Sequence, residues 1–113
     1  MDSETLKHIL IEIEEDLRKL FGYRLKKLFL YGSYARGDYD QESDIDIMAL
    51  IDESEEELIT FEKKIDEICS AYDLKYLIVL SIIIKSDEDF RKYENVIPLY
   101  TNIVKEGKEI YGI

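Results

Sequence analysis

The chain has very few of the residues that cross-link or anchor small proteins. It contains one cysteine, Cys69, among 113 residues, which excludes an internal disulfide and any zinc site built from several cysteines. No stretch approaches the roughly 18 consecutive apolar residues that cross a bilayer. The N-terminus is acidic and does not resemble a basic leader. We therefore expect a reducing, cytoplasmic setting and no membrane partner.

Basic residues are also scarce. The chain has 15 Lys and Arg against 26 Asp and Glu, for a formal net charge of −11. Broad binding to a nucleic-acid backbone needs clustered Lys and Arg, so that class of partner is not expected. An acidic surface suits a basic protein partner, and it also suits plain solubility. Composition leaves both of these open.

No internal repeat, linker or low-complexity segment divides the chain, so we expect one domain over residues 1–113. Apolar spacing and turn residues predict the order of elements. These are a helix over 3–21, a strand over 25–31, a helical turn over 33–37, a polar loop over 38–43, a strand over 45–51, a helix from 54 to about 72, a strand over 74–84, a helix capped by Ser86 that runs to about 93, a helix over 98–107 and a short edge segment over 109–113. This order favours an α/β (α+β) fold, a small mixed β-sheet flanked by helices.

Capping residues set the predicted helix boundaries. Ser3 is expected to cap the first helix, and Gly22 to stop it. Ser54, followed three places later by Glu57, forms a capping box. Pro98 suits the first turn of the last helix, where its missing N–H has no acceptor to lose.

Two short motifs lie where predicted strands end and begin. Gly32-Ser33 follows the strand over 25–31, and after ten intervening residues Asp44-Ile45-Asp46 opens the strand over 45–51. Gly-Ser turns a strand end into a helix start, where free backbone N–H groups can hold a phosphate. Asp44 and Asp46 are two apart, so on a strand both side chains leave the same face.

This pair of motifs predicts nucleotidyl transfer from an NTP. Carboxylates beside a phosphate-binding turn are what Mg²⁺ needs to bridge protein and triphosphate. Each residue also has an ordinary structural role, as a turn glycine, a helix cap or an exposed strand-end charge. Two acids on one strand face repel each other, and a purely structural strand gains nothing from that repulsion. The nucleotide site is therefore the favoured interpretation.

The segments 30–37, LYGSYARG, and 43–47, SDIDI, resemble the signature of the polymerase-β-type nucleotidyltransferase superfamily. The short length and the Ala-Arg-Gly after Gly-Ser resemble its minimal nucleotidyltransferase (MNT) branch. The resemblance implies an Mg·ATP site in which the turn at Gly32 and Ser33 binds phosphate and Arg36 clamps it. It makes Asp44 and Asp46 the catalytic metal ligands.

The same resemblance implies a partner. Many members are antitoxins encoded beside a HEPN-domain RNase toxin, and some silence it by transferring AMP from ATP to a toxin tyrosine. For Arg36 a second role stays open, because an exposed arginine here would also pair with Asp38 or Asp40.

One feature departs from the resemblance. Active members place a third carboxylate on the next long strand, whereas the predicted strand over 74–84 has no Asp or Glu, and its only small polar residue is Ser81. Asp73 and the acids at 87–89 are expected to be turn or helix-capping residues. Two carboxylates predict one well-held metal–nucleotide and a poorly held second metal. Catalysis would then be weak, completed by a partner's carboxylate, or lost.

Three functions follow from these motifs. The first is an enzyme that transfers AMP to a protein hydroxyl. The second is a binding module of weak or no activity that neutralises a basic partner by occlusion. The third is transfer to an antibiotic or another small hydroxyl compound, which is disfavoured because such enzymes usually carry a further helical domain. Assembly as a homo-oligomer or hetero-oligomer stays open.

Overall fold

The structure is a computed structural model that describes residues 1–40 and 43–110. Residues 41–42 of the predicted polar loop, and 111–113 of the predicted edge segment, lie outside the described residues. The elements in chain order are α1 (Ser3–Phe21), β1 (Leu25–Tyr31), α2 (Ser33–Arg36), β2 (Ile45–Ile51), α3 (Glu55–Ile59), α4 (Glu62–Tyr76), β3 (Leu80–Ser86), α5 (Asp87–Tyr93), α6 (Pro98–Glu106) and β4 (Lys108–Glu109). Across the described ranges, no helix has both the length and the apolar character needed to span a bilayer.

Four strands form one mixed sheet in the order β3-β2-β1-β4. β2 runs antiparallel to β1 and parallel to β3, and the short β4 pairs antiparallel with β1. From Ile47 to Ile51 every residue of β2 is buried, because helices cover both faces of the sheet there. The mixed sheet flanked by helices is therefore confirmed.

The sheet separates two apolar clusters. Ile47 of β2 faces α1 and α4, where it packs in a cluster with Ile9 and Ile65. Met48 faces the other way, into a smaller cluster with Ile103 and other residues of α5 and α6. Side chains alternate along a strand. Residue 46 therefore belongs to the same face as Met48, toward α5 and α6.

Most predicted boundaries are confirmed. β1 and β2 begin and end at the predicted residues. Gly22 ends α1 with φ 59, and Pro98 begins α6. Ser86 caps α5 as expected, because its Oγ accepts the N–H of Asp89 at 3.3 Å.

The cap of α1 differs from the prediction. The N-cap is Asp2, whose Oδ1 accepts the N–H of Thr5 at 2.8 Å, and Ser3 is the first helical residue. A carboxylate at this position gains from the positive end of the helix dipole in addition to the hydrogen bond. The prediction of Ser3 as the cap was wrong for that reason.

The single helix predicted from 54 to about 72 is two helices. Ser54 caps α3 as expected, with its Oγ accepting the N–H of Glu57 at 3.2 Å. α3 ends at Ile59, and α4 begins only at Glu62. Between them, the Thr60 hydroxyl donates to the Glu57 carbonyl at 2.6 Å, a local bond that competes with continuation of the helix.

The strand predicted over 74–84 was also wrong at its start, since α4 continues to Tyr76 and β3 begins at Leu80. The Tyr72 hydroxyl donates to Asp16 at 2.6 Å, and the Tyr76 hydroxyl donates to Glu12. Both acceptors lie on α1. These bonds hold the last turns of α4 in helical form, which the apolar run alone did not indicate.

Asp73 has the structural role expected from its position. Leu77 turns the chain out of α4 with φ 55, and the Oδ1 of Asp73 then accepts the N–H of Leu80 at 2.7 Å. After β3, Asp87 pairs with Arg91 at 3.0 Å within α5. These two acids near the ends of β3 therefore act as turn and helix-terminus residues.

Candidate functional site

β1 passes directly into α2 through Gly32. This residue has φ 72 and ψ −154, a conformation that residues with a Cβ rarely adopt. A Cβ built on Gly32 would also collide with Oδ2 of Asp46. Glycine is thus required for two reasons, and the missing side chain leaves room for the Asp46 carboxylate against the backbone of the turn.

The start of α2 supplies backbone donors. The N–H groups of Ala35 and Arg36 both bond to the Gly32 carbonyl at 3.1 Å, and that of Gly37 bonds to Ser33 at 2.9 Å. The first amides of a helix have no acceptor within it. At this turn those amides belong to Ser33 and the residue after it, which are therefore the groups that an anion can use.

The two aspartates lie at the N-terminal end of β2. Asp44 precedes the strand and is exposed, and Asp46 is its second residue and half-buried. Burial, and then the Asp44 charge, raise the pKa of the Asp46 carboxyl, while the Arg36 guanidinium partly opposes them. The three charged groups therefore interact electrostatically, at the place where Gly32 meets Asp46.

Asp46 has a hydroxyl-bearing neighbour on each side. Its register partners are Tyr31 of β1 and Ser81 of β3. Residues directly opposite on paired strands share a face, so the three side chains form a row. Burial, and then the Asp46 charge, raise the pKa of Tyr31 to about 12. Sequence analysis missed Tyr31, and its position directly before Gly32 was the only available signal.

Arg36 is exposed and engaged with two carboxylates. Its Nε lies 3.2 Å from Oδ2 of Asp38, and its Nη1 lies 3.8 Å from Oε2 of Glu106 in α6. The bond to Asp38 is the surface role that the sequence left open. Exposed pairs of this kind are worth about 0–1 kcal/mol. A phosphate, with its higher charge and several oxygens, competes well for such a guanidinium.

A cavity of about 230 Å³ lies against this turn. It is lined by Tyr31, Gly32 and Arg36 on one side and by Leu99, Asn102, Ile103 and Glu106 of α6 on the other. Neither Asp44 nor Asp46 is among the residues that line this cavity. Nothing in the sequence pattern placed α6 beside the motifs, because that contact depends on the tertiary fold.

The donor set suits a magnesium ion held jointly with a nucleotide. Mg²⁺ is usually bound through one or two carboxylates together with phosphate oxygens of the substrate, and Asp44 and Asp46 supply two carboxylates. In the described part of the chain, no group of three or more His, Cys, Asp or Glu could hold a metal ion. The fit therefore depends on the nucleotide, which would bring the remaining oxygens.

Solved structures of low sequence identity share the fold. A crystal structure of a toxin–antitoxin with AMP-PNP aligns with 90% of this chain and 73% of its own, at a TM-score of 0.56 and 18% identity. A crystal structure of a mutant MntA-HpeT toxin–antitoxin aligns with 92% of this chain and 73% of its own, at a TM-score of 0.58 and 16% identity. At these identities the likeness establishes the fold alone.

Sequence comparison is more specific. Two relatives from Methanocaldococcus jannaschii carry the name "Putative protein adenylyltransferase". One is 39% identical over 100 residues, covering 88% of this chain and 92% of the relative. The other is 42% identical over 76 residues, covering 67% and 75%. Residues 10–110 match the family model described as "Nucleotidyltransferase domain", so this chain, with its Gly-Ser turn and paired aspartates, belongs to the nucleotidyltransferase domain family.

Proposed function

We propose that this chain binds Mg·ATP and transfers AMP to a hydroxyl group of a protein partner. The observation that carries the proposal is the contact between the two motifs, in which Gly32 leaves room for the Asp46 carboxylate against a turn that offers free amides. The names of the relatives, and the AMP-PNP present with one structural neighbour, support adenylyl transfer in particular.

The turn and α2 would hold the triphosphate. The hydroxyl of Ser33 and the first amides of α2 donate to phosphate oxygens. Arg36 would leave its ion pairs with Asp38 and Glu106 and bind phosphate oxygens instead. Its planar guanidinium can bind two of these oxygens in a bidentate contact. Because those carboxylate pairs are exposed, little free energy is lost in the exchange.

Asp44 and Asp46 would hold the magnesium ion of the bound Mg·ATP. When bound, Mg²⁺ would lower the pKa of the attacking hydroxyl and neutralise negative charge on the pyrophosphate leaving group. The hydroxyl oxygen of the acceptor forms a bond to the α-phosphorus, and its proton passes to solvent water. The bond from the α-phosphorus to the bridging oxygen breaks, and pyrophosphate leaves. The contribution of the two aspartates is a pair of ionised oxygens at fixed spacing on one strand.

The proposed partner is a HEPN-domain toxin, with this chain as its antitoxin in the cytoplasm. Both structural neighbours described above are toxin–antitoxin structures. The formal charge of −11 suits a basic partner surface. Because AMP adds a phosphate and a nucleoside to the acceptor, transfer to an active-site residue of a toxin would block that site.

Incubation with ATP labelled at the α-phosphate tests this function. The purified chain is mixed with the product of the neighbouring gene, and we expect the label to appear on that partner. Asp44→Asn and Asp46→Asn should abolish labelling. Asp66→Asn, which removes a carboxylate from the exposed face of α4, should leave it intact. Absence of label on the partner with every NTP would contradict the proposal.

One observation favours a second function. The neighbours of Asp46 in its row are hydroxyls and not a further acid, which suits a module that neutralises its partner by occlusion. The same variant separates the two functions. If Asp44→Asn still neutralises the partner completely, binding is sufficient; if neutralisation is lost together with labelling, transfer is required.

A further inference from the structure

We infer that Ser81 limits this site to one divalent cation, and that a carboxylate at position 81 would complete a second cation site beside the first. The inference rests on the proposed function, since it takes Asp44 and Asp46 as the ligands of a metal–nucleotide. In this inference, the residue at position 81 determines how many metal ions the site binds.

The register of β2 and β3 places Ser81 next to Asp46. The two strands are parallel and pair without a shift from Ile45↔Leu80 to Ile51↔Ser86, with Asp46 opposite Ser81. Paired strands lie about 4.8 Å apart, and their opposite residues share a face. A carboxylate at 81 would thus have oxygens within reach of a second cation at the spacing of about 3.5–4 Å that two-metal sites use.

β3 offers no other ligand on that face. Ile83, two residues further, packs in the cluster of Met48, and Lys85 carries the wrong charge. Before the strand, the carbonyl of Val79 accepts the N–H of Ile45 at 2.9 Å, and its apolar side chain is 54% exposed. The face of β3 beside the site therefore offers no carboxylate.

Three of the described carboxylates around the site already have partners. Asp38 and Glu106 pair with Arg36 on the phosphate side of the turn. Asp73 accepts the N–H of Leu80. On the β1 side, the neighbour of Asp46 is the phenol of Tyr31. These contacts are consistent with the absence, within residues 1–40 and 43–110, of any group of three metal-ligating side chains.

A serine in this place changes the charge balance of the site. A neutral hydroxyl is a weak ligand for a hard cation that prefers charged oxygens. The two aspartates are the carboxylates available to a first divalent cation, and β3 places a hydroxyl, not a further carboxylate, beside Asp46 for a second one. A third carboxylate at position 81 would also lie opposite Asp46 and repel it in the metal-free fold. Ser81 therefore keeps the metal-free fold free of that repulsion.

Counting bound Mn²⁺ by electron paramagnetic resonance tests the inference. The probe is Mn²⁺ added to an equimolar complex of the chain with AMP-PNP. We expect one Mn²⁺ per wild-type complex and two for Ser81→Asp, with spin coupling between the two ions. Ser81→Asn removes the hydroxyl without adding charge and should keep one. Ser70→Asp is a matched control that makes the same change on the exposed face of α4, and it should also keep one.

The outcomes separate this inference from the proposed function. Two Mn²⁺ in the wild type, or one in a folded Ser81→Asp, would overturn the inference while the nucleotide site stands. Failure of the wild-type chain to bind Mn·AMP-PNP would overturn the proposed function and the inference together. If Ser81→Asp does not fold, Ser81→Glu provides the same charge on a longer side chain, and the wild-type count still decides the first half of the inference.

Discussion

Asp46 places its carboxylate directly over the backbone of Gly32, and a methyl group on that glycine would overlap Oδ2. The contact joins the end of β1 to the beginning of β2 across the antiparallel pair of Tyr31 with Asp46. A turn that offers amides and a carboxylate that can hold a cation are thereby one structural unit. A change at either residue is expected to affect the other.

Gly32→Ala should destabilise the fold and abolish Mg·ATP binding. A residue with a Cβ at φ 72 costs about 1 kcal/mol or more, and the new methyl group displaces Asp46. Gly22→Ala is the matched control, because Gly22 also has positive φ, 59, and its Cβ would meet nothing within 4 Å. Urea unfolding should show a loss in both variants, and calorimetric titration a loss of nucleotide binding only in Gly32→Ala. Equal nucleotide affinity in the two variants would contradict the role of the contact.

Asp46→Asn should raise the thermal stability of the nucleotide-free chain at neutral pH. The folded-state pKa of Asp46 is raised, so between the unfolded and folded pKa values the folded state binds more protons. The free energy of unfolding therefore falls as pH rises from the unfolded-state pKa to the folded-state pKa of Asp46. Above the folded-state pKa the whole loss of stability remains. Asparagine removes this loss. Its advantage should vanish below both pKa values.

Thermal unfolding of the wild type and of Asp46→Asn across a pH series tests whether the variant is the more stable of the two at neutral pH. Asp66→Asn, which removes the same charge from the exposed face of α4, serves as the control for net charge. If Asp46→Asn is no more stable than Asp66→Asn at neutral pH, the raised pKa does not reflect a buried, repelled carboxylate. In the wild type, Mg·ATP binding should also weaken as pH falls through the folded-state pKa of Asp46, since protonated Asp46 cannot hold the cation.

Glu106→Gln should tighten nucleotide binding. Glu106 pairs with Arg36 at 3.8 Å, and without that charge the guanidinium is easier to recruit to phosphate. The pair is exposed, so the gain should be at most about five-fold in affinity. Glu109→Gln, on the neighbouring strand β4, removes the same charge away from Arg36. Fluorescence titration with a labelled ATP analogue would show whether the gain is specific; the same gain in both variants would attribute it to net charge.

Asp73→Ala should lower stability without changing the metal requirement. Its Oδ1 accepts the Leu80 N–H at 2.7 Å, and losing a bond to a charged acceptor costs about 1–3 kcal/mol. Asp73→Asn keeps an acceptor oxygen and should retain most of the stability. Urea unfolding measures the first effect, and Mg²⁺ titration of nucleotide binding the second. A large change in the Mg²⁺ requirement would make Asp73 a metal ligand and not a turn residue.

The sequence predicts the local elements well where side-chain chemistry acts within a few residues. Gly22 and Pro98 mark helix boundaries through their own backbone preferences, and the bounds of β1 and β2 follow from short apolar runs beside Gly32 and Asp44. α4 extended past its predicted end because Tyr72 and Tyr76 bond to α1, whose acceptors lie more than fifty residues earlier. A local sequence pattern cannot predict a contact between residues so far apart in the chain.

The candidate site divides in the same way. Gly32, Ser33, Asp44 and Asp46 belong to one motif, so their spacing already predicts a shared position. The neighbours of Asp46 depend on strand order, because β3 and β1 flank β2 only once the sheet has formed. The contact of Arg36 with Glu106 likewise requires α6 to pack beside α2, which periodicity does not specify.

Calorimetric titration with AMP-PNP, in the presence and absence of Mg²⁺, tests the joint site of Gly32 and Asp46 most directly. The wild type should bind the nucleotide only when Mg²⁺ is present, and Asp46→Asn should bind it in neither condition. Mg²⁺-independent binding of equal strength in the wild type and in Asp46→Asn would contradict a site in which this carboxylate and the turn hold a metal–nucleotide together.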